Sequence, residues 1–129
     1  MAPENTQDAG REDVCDSFCF NEELVARLQS ALPEEETVRQ SEAFFSALGS
    51  RTRLLVLFCL TLADELCVCD VANALEMNLS TISHQLRHLR NLGLVQCRRE
   101  GKMAFYRLGD PRVEELLESE LGSSTEEET

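Results

Sequence analysis

Two short helical patterns meet at Glu76-Met77-Asn78, and the second ends at Gly93, directly before two extended runs joined by Glu100-Gly101. The first pattern covers residues 70–75. The second, residues 81–92, opens with small polar residues, and Ser80 is expected to cap it, because a hydroxyl can accept from a free N–H at a helix start. Two short helices around a tight turn read as a helix-turn-helix whose second member is the recognition helix. Residues 94–99 and 102–108 mix Val, Phe and Tyr with basic side chains, the pattern of a β-hairpin. A hairpin placed there is a wing. The expected fold class is therefore mainly α with one β-hairpin, a winged helix-turn-helix.

The rest of the chain suits that frame. Its 129 residues make one domain with a real core, and with aromatics at 5% and no Trp that core must be Leu, Val, Ala and Ile. Residues 1–13 are polar with no apolar period and are expected to be disordered. In residues 14–20 apolar groups flank Cys15 and Cys19, as in a segment that docks onto something. Asn21 can cap a helix carrying Leu24, Val25, Leu28 and Leu32, ended by Pro33. Glu34 to Glu36 read as a short acidic linker. A second helix is expected over residues 37–48, stopped by Gly49, and a third follows with Ser50 as its cap. Pro111 starts a last helix whose Val113, Leu116, Leu117 and Leu121 form either core or dimer surface. The expected organisation is thus a disordered tail (1–13), an arm and helix (14–36), a DNA-binding and dimerisation domain (37–121) and an acidic disordered tail (122–129).

Net charge is −12, which at first opposes a nucleic-acid partner. Its distribution reverses that impression, because between Leu79 and Gly109 six basic residues stand against the single acid Glu100, about +5. The acidic N-terminus does not resemble a signal peptide, and the longest apolar run, residues 54–60, is too short to span a bilayer. A cytoplasmic protein without a membrane partner is expected. No nucleophile–base pair or phosphate loop suggests an enzyme, and no small-molecule substrate is indicated.

In a reducing compartment the six cysteines are better explained by metal or redox chemistry than by disulfides. Cys67 and Cys69 form a C-x-C pair whose two soft sulfurs are close enough to share one ion. The remaining thiolates are expected from Cys15 and Cys19, spaced so that a single helical turn would bring both to one face. Cys59 and Cys97 are expected to be packing residues. For DNA, the candidates are Ser80, Thr81, Ser83, His84 and Gln85 in the first turns of the recognition helix, with Gln85 suited to adenine. Arg87 could track the backbone, and Arg98, Arg99 and Lys102 on the wing could contact phosphate or the minor groove. His88 is expected to be a helix-surface residue with no role.

From Val14 to Leu121 the chain resembles the ArsR/SmtB-type metal-sensing transcriptional repressors. The resemblance is carried by Ala47-Leu48-Gly49-Ser50-Arg51-Thr52-Arg53-Leu54, Glu65-Leu66-Cys67-Val68-Cys69-Asp70, Ser80-Thr81-Ile82-Ser83-His84-Gln85-Leu86, Leu92-Gly93-Leu94-Val95 and Arg99-Glu100-Gly101-Lys102. Cys15 and Cys19 narrow it to the cadmium- and lead-responsive, CadC-like branch. This implies a homodimer in which N-terminal cysteines of one subunit join the C-x-C pair of the other. The usual Asp-Pro-Thr-Arg before the third helix is replaced by Gly49-Ser50-Arg51-Thr52-Arg53. A second metal site that relatives build on the last helix would need a histidine where Arg112 stands, so it is expected to be absent or weakened, although Asp110 matches its first ligand.

The expected function is therefore a dimeric repressor that binds operator DNA and is released when cadmium, lead or zinc binds the thiolates of Cys15, Cys19, Cys67 and Cys69. Such binding would displace protons and so weaken as pH falls. Two alternatives remain: an arsenite-responsive repressor of the same fold, and a thiol-based redox regulator in which Cys15 or Cys19 pairs with Cys67 or Cys69. A winged-helix module with structural zinc is a third reading.

Overall fold

The computed structural model describes residues 12–122. Most of the two tails expected to be disordered, residues 1–11 and 123–129, lies outside the described residues. The chain divides into two compact units, Met1–Thr37 and Val38–Thr129.

In the first unit, residues 12–20 follow turns and bends without helix. The helical turn expected to bring Cys15 and Cys19 to one face does not form. Asp16 and Ser17, which bond readily to nearby backbone, offer it an alternative, and one isolated turn cannot offset its nucleation cost. Helix α1 (Glu22–Ala31) begins as expected, with Asn21 Oδ1 accepting from the Leu24 N–H at 3.0 Å. Glu22 and Glu23 place negative charge at its positive end. None of its residues is buried, and Leu28 and Leu32 stay exposed.

Helix α2 (Glu35–Leu48) starts two residues before the expected position. Glu35 and Glu36 are its first turn rather than a linker, because acids there face free N–H groups and are stabilised by the helix dipole. In the second unit follow α3 (Arg51–Thr61), β1 (Leu66–Cys67), α4 (Val68–Leu75), α5 (Leu79–Asn91), β2 (Val95–Glu100), β3 (Met103–Leu108) and α6 (Pro111–Leu121). The strands form an antiparallel sheet in the order β1-β3-β2, with Val95 opposite Leu108 and Glu100 opposite Met103 in the wing. Strand β1 was not expected. It consists of two residues, with Leu66 opposite Tyr106 and Cys67 opposite Phe105.

Leu57, Ile82, Leu86, Leu89, Val56, Val71, Val95 and Val113 are the largest fully buried side chains. They come from α3, α4, α5, β2 and α6, so the helix-turn-helix and the wing share one core. On α6 the apolar stripe divides: Val113 and Leu117 are buried, while Leu116 and Leu121 are exposed. No single helix among the described residues is long and apolar enough to cross a membrane.

The turn between α4 and α5 sets the recognition helix. Glu76 closes α4 in the left-handed region, φ 56°, and its N–H reaches the Ala72 and Asn73 carbonyls. Asn78, not Ser80, is the cap of α5: its Oδ1 accepts from the Thr81 N–H at 2.9 Å and from the Ser80 hydroxyl at 3.1 Å. Asn at the cap lets the helix start two residues earlier and puts Ser80 in its first turn. Asn78→Ala is expected to cost about 1 kcal/mol and Asn78→Gly a few tenths, read by urea unfolding. An Ser80→Ala loss as large as that of Asn78→Ala would reverse the assignment. At the other end Gly93, at φ +82°, lets its N–H reach the Arg90 carbonyl at 2.9 Å and the Leu94 N–H reach that of Leu89 at 3.0 Å.

Candidate functional site

Cys67 and Cys69 are placed by the junction of β1 and α4. Cys67 is the last strand residue and the N-cap of α4, and it is buried; Cys69 lies in the first turn and is exposed. Their sulfurs sense each other. The Cys69 thiol is pushed above its ordinary value, first by the charge of Cys67, then by desolvation, a hydrogen bond with Cys67 and the charge of Asp70. A dication bound between the two sulfurs would relieve that repulsion, so this pair suits a soft metal ion. Two thiolates leave a tetrahedral ion half coordinated. Among the described residues no three His, Cys, Asp or Glu side chains gather into a metal-holding group. Cys15 and Cys19 are exposed free thiols in the first unit.

The cysteine pair opens onto α5 and the wing. A groove of about 340 Å³ is lined by Cys67 and Cys69 together with Ser83 of α5 and Arg99 and Lys102 of the wing. Along α5 the buried residues Ile82, Leu86 and Leu89 define one face. Ser80, His84, Arg87 and His88 are exposed on the other, at the spacing of a helical stripe, while Thr81, Ser83 and Gln85 flank them half-buried. His88 shares the exposed face with His84, in keeping with its expected place on the helix surface.

Three of the expected DNA contacts have side-chain partners within the chain: Ser80, bonded to its cap Asn78, Gln85 and Arg98. The Gln85 amide oxygen accepts from Arg53 Nη1 at 3.2 Å. Arg98 donates through Nε and Nη2 to both Glu65 oxygens, at 2.9 and 2.8 Å, and through Nη1 to Glu100 at 2.9 Å, and its guanidinium lies 4.7 Å from the Phe105 ring centroid. Those bonds hold the Glu65 carboxyl below its usual range. Successive strand residues face opposite sides of a sheet, so Arg98 points away from the groove that Arg99 lines.

The remaining candidates are occupied by packing or capping. Cys97 is half-buried opposite Tyr106, and Cys59 is half-buried in α3, where burial pushes its thiol up. Asp110 caps α6: it accepts from the Arg112 backbone N–H at 2.9 Å and from Arg112 Nη2 at 2.7 Å, while the same guanidinium sits 3.9 Å from the Phe44 ring centroid. Arg112 holds the Asp110 carboxyl below the usual carboxylate range. An arginine thus occupies the carboxylate that would be the first ligand of a site on this helix.

Known proteins resemble this chain in sequence and fold. Residues 50–96, from the cap of α3 into the wing, match the bacterial regulatory protein, arsR family. A cadmium resistance transcriptional regulatory protein CadC homolog from Staphylococcus aureus is 39% identical over 107 residues, covering 83% of this chain and 88% of the relative. A transcriptional repressor SmtB homolog from Synechocystis is 39% identical over 103 residues, covering 80% of this chain and 77% of the relative. A homodimeric winged helix-turn-helix DNA-binding domain from Mycobacterium bovis superposes with a TM-score of 0.59 at 33% identity, over 67% of this chain and 82% of that one. By its motifs, its fold and these likenesses, the chain belongs to the arsR family of bacterial regulatory proteins.

Proposed function

We propose that this chain is a metal-responsive transcriptional repressor that grips operator DNA as a homodimer and lets go when cadmium, lead or zinc binds its thiolates. The observation that carries the reading is the groove that Cys67 and Cys69 share with Ser83, Arg99 and Lys102. An event at the sulfurs acts on side chains that would touch DNA. The likeness to a cadmium resistance transcriptional regulatory protein CadC homolog supports cadmium as an inducing ion. Exposed Leu116 and Leu121 on α6, and exposed Leu28 on α1 and Leu32 just after it, supply apolar surface for a second copy.

DNA would be held by Ser80, Thr81, Ser83, His84 and Arg87 on α5 and by Arg99 and Lys102 on the wing, in two half-sites roughly 34 to 36 Å apart. Cys67 and Cys69 would bind the ion together with Cys15 and Cys19, the latter pair reaching across from the partner subunit. A shift at Cys67 and Cys69 moves the start of α4, which packs against α5. The inducing ion must bind the released conformation better than the DNA-bound one, and by linkage the operator weakens ion binding by the same factor. Such a soluble regulator would act in the cytoplasm.

The test takes duplexes enriched from a randomised pool by the metal-free chain. Their affinity is then measured with cadmium, lead, zinc and arsenite under strict reduction. Cadmium is expected to weaken binding about 5- to 150-fold. Release only under oxidant would replace this reading with redox sensing. If Cys15→Ser leaves the response to every one of these ions unchanged, the N-terminal pair is not a ligand source and arsenite becomes the favoured inducer.

A further inference from the structure

We infer that Arg53 and Gln85 are positioning residues, a strut that holds the recognition helix against the corner between α2 and α3, and that Gln85 reads no base. This rests on the operator-binding reading above. Arg53 donates through Nε to the Ala47 carbonyl at 3.0 Å and through Nη2 to that of Ser46 at 3.4 Å, both at the C-terminal end of α2. Both carbonyls lie at the negative end of α2, where a guanidinium is favoured, and that of Ser46 also accepts from the Gly49 N–H at 3.1 Å. Through Nη1 the same group reaches the Gln85 amide oxygen, 32 residues away in sequence. One planar side chain thus joins the end of α2, the start of α3 and the middle of α5.

That contact competes with base reading. Recognising adenine takes both ends of a glutamine amide, the oxygen accepting from N6 and the nitrogen donating to N7. Here the oxygen is aimed at Arg53, which fills one of its two lone pairs, and an arginine donor cannot meet the amide nitrogen, so the amide is turned towards the corner between α2 and α3. Gln85 also borders the buried side of α5, one residue before Leu86 and four before Leu89, while Ser80, His84 and Arg87 occupy the exposed side. Lysine cannot reproduce the three-way donation of Arg53.

Glutamate at position 85 separates the two roles. A carboxylate keeps the acceptor for Arg53 and turns the contact into a charge-assisted bond, but it loses both amide donors and adds negative charge. The full chain and its Gln85→Glu, Gln85→Ala, Arg53→Lys and Arg53→Ala variants are assayed on the enriched duplex and on each of its single-base variants, with thermal melts to check folding. Gln85→Glu is expected to bind within about threefold of wild type, and Gln85→Ala and Arg53→Lys to bind about tenfold more weakly on every duplex alike. Adding Gln85→Ala to Arg53→Ala should weaken binding no further. If Arg53→Ala does not fold, Arg53→Lys paired with Gln85→Ala makes the same comparison.

A loss above about a hundredfold for Gln85→Glu, or relaxed preference at one base pair in Gln85→Ala, would make Gln85 a base reader and overturn the strut. Unchanged binding by both Arg53 variants would overturn it as well. Wild-type protein that enriches no duplex would overturn the operator-binding reading and the strut with it.

Discussion

Cys69→Ser protein is expected to bind its operator within about twofold of wild type and to keep that grip when saturated with cadmium. Cys69 is exposed in the first turn of α4, so an isosteric hydroxyl disturbs no packing. A serine oxygen is a poor ligand for a soft ion, however, and Cys67 alone cannot draw the N-terminal thiolates onto the site. The wild-type shift of about 5- to 150-fold should therefore fall to about onefold. Fluorescence anisotropy on a labelled duplex, with and without the ion, gives both values. Cys97→Ser is the control, since Cys97 packs opposite Tyr106 in the wing and should respond as wild type does. A Cys69→Ser protein that still releases DNA would move the inducing site elsewhere.

Leu86→Ala should produce the largest loss of stability. Leu86 is fully buried on α5, within the core that joins α3, α4 and the wing. Truncation leaves a cavity and costs about 2 to 5 kcal/mol, a large part of the roughly 5 to 15 kcal/mol that keeps a domain folded. Leu79, on the same helix but 49% exposed, makes the comparison: its alanine variant should stay within about 0.5 kcal/mol of wild type. Urea unfolding at one fixed protein concentration reads both, because a dimer's apparent stability depends on concentration. A Leu86→Ala loss below about 1 kcal/mol would mean that α5 is not anchored by this core.

Much of this architecture was legible because its signals are local. Gly93 ends the recognition helix because its φ of +82° suits glycine, and Ser50, Asn21 and Pro111 mark helix starts by chemistry that reaches no further than three residues. The errors also have local causes. Ser80 was a plausible cap, but Asn78 lies two residues earlier and accepts the Thr81 N–H itself. Cys15 and Cys19 have helical spacing, yet spacing cannot make a helix where Asp16 and Ser17 favour bends.

What stayed hidden depends on partners far along the chain. Strand β1 exists only because Leu66 and Cys67 meet Tyr106 and Phe105, and two residues carry no period of their own. In the same way nothing near Gln85 or Arg98 announces that Arg53 and Glu65 would engage them. The C-x-C motif was visible as a donor pair. That it shares a groove with Ser83, Arg99 and Lys102 follows from the fold.

That two-residue ladder also has a mechanical meaning. Cys67 is stitched by backbone to the inner strand of the wing and is at the same time the first point of α4, so one residue ties the wing to the helix that packs against α5. Tension applied there pulls hairpin and helix together, and so short a seam can part without unzipping the sheet around it.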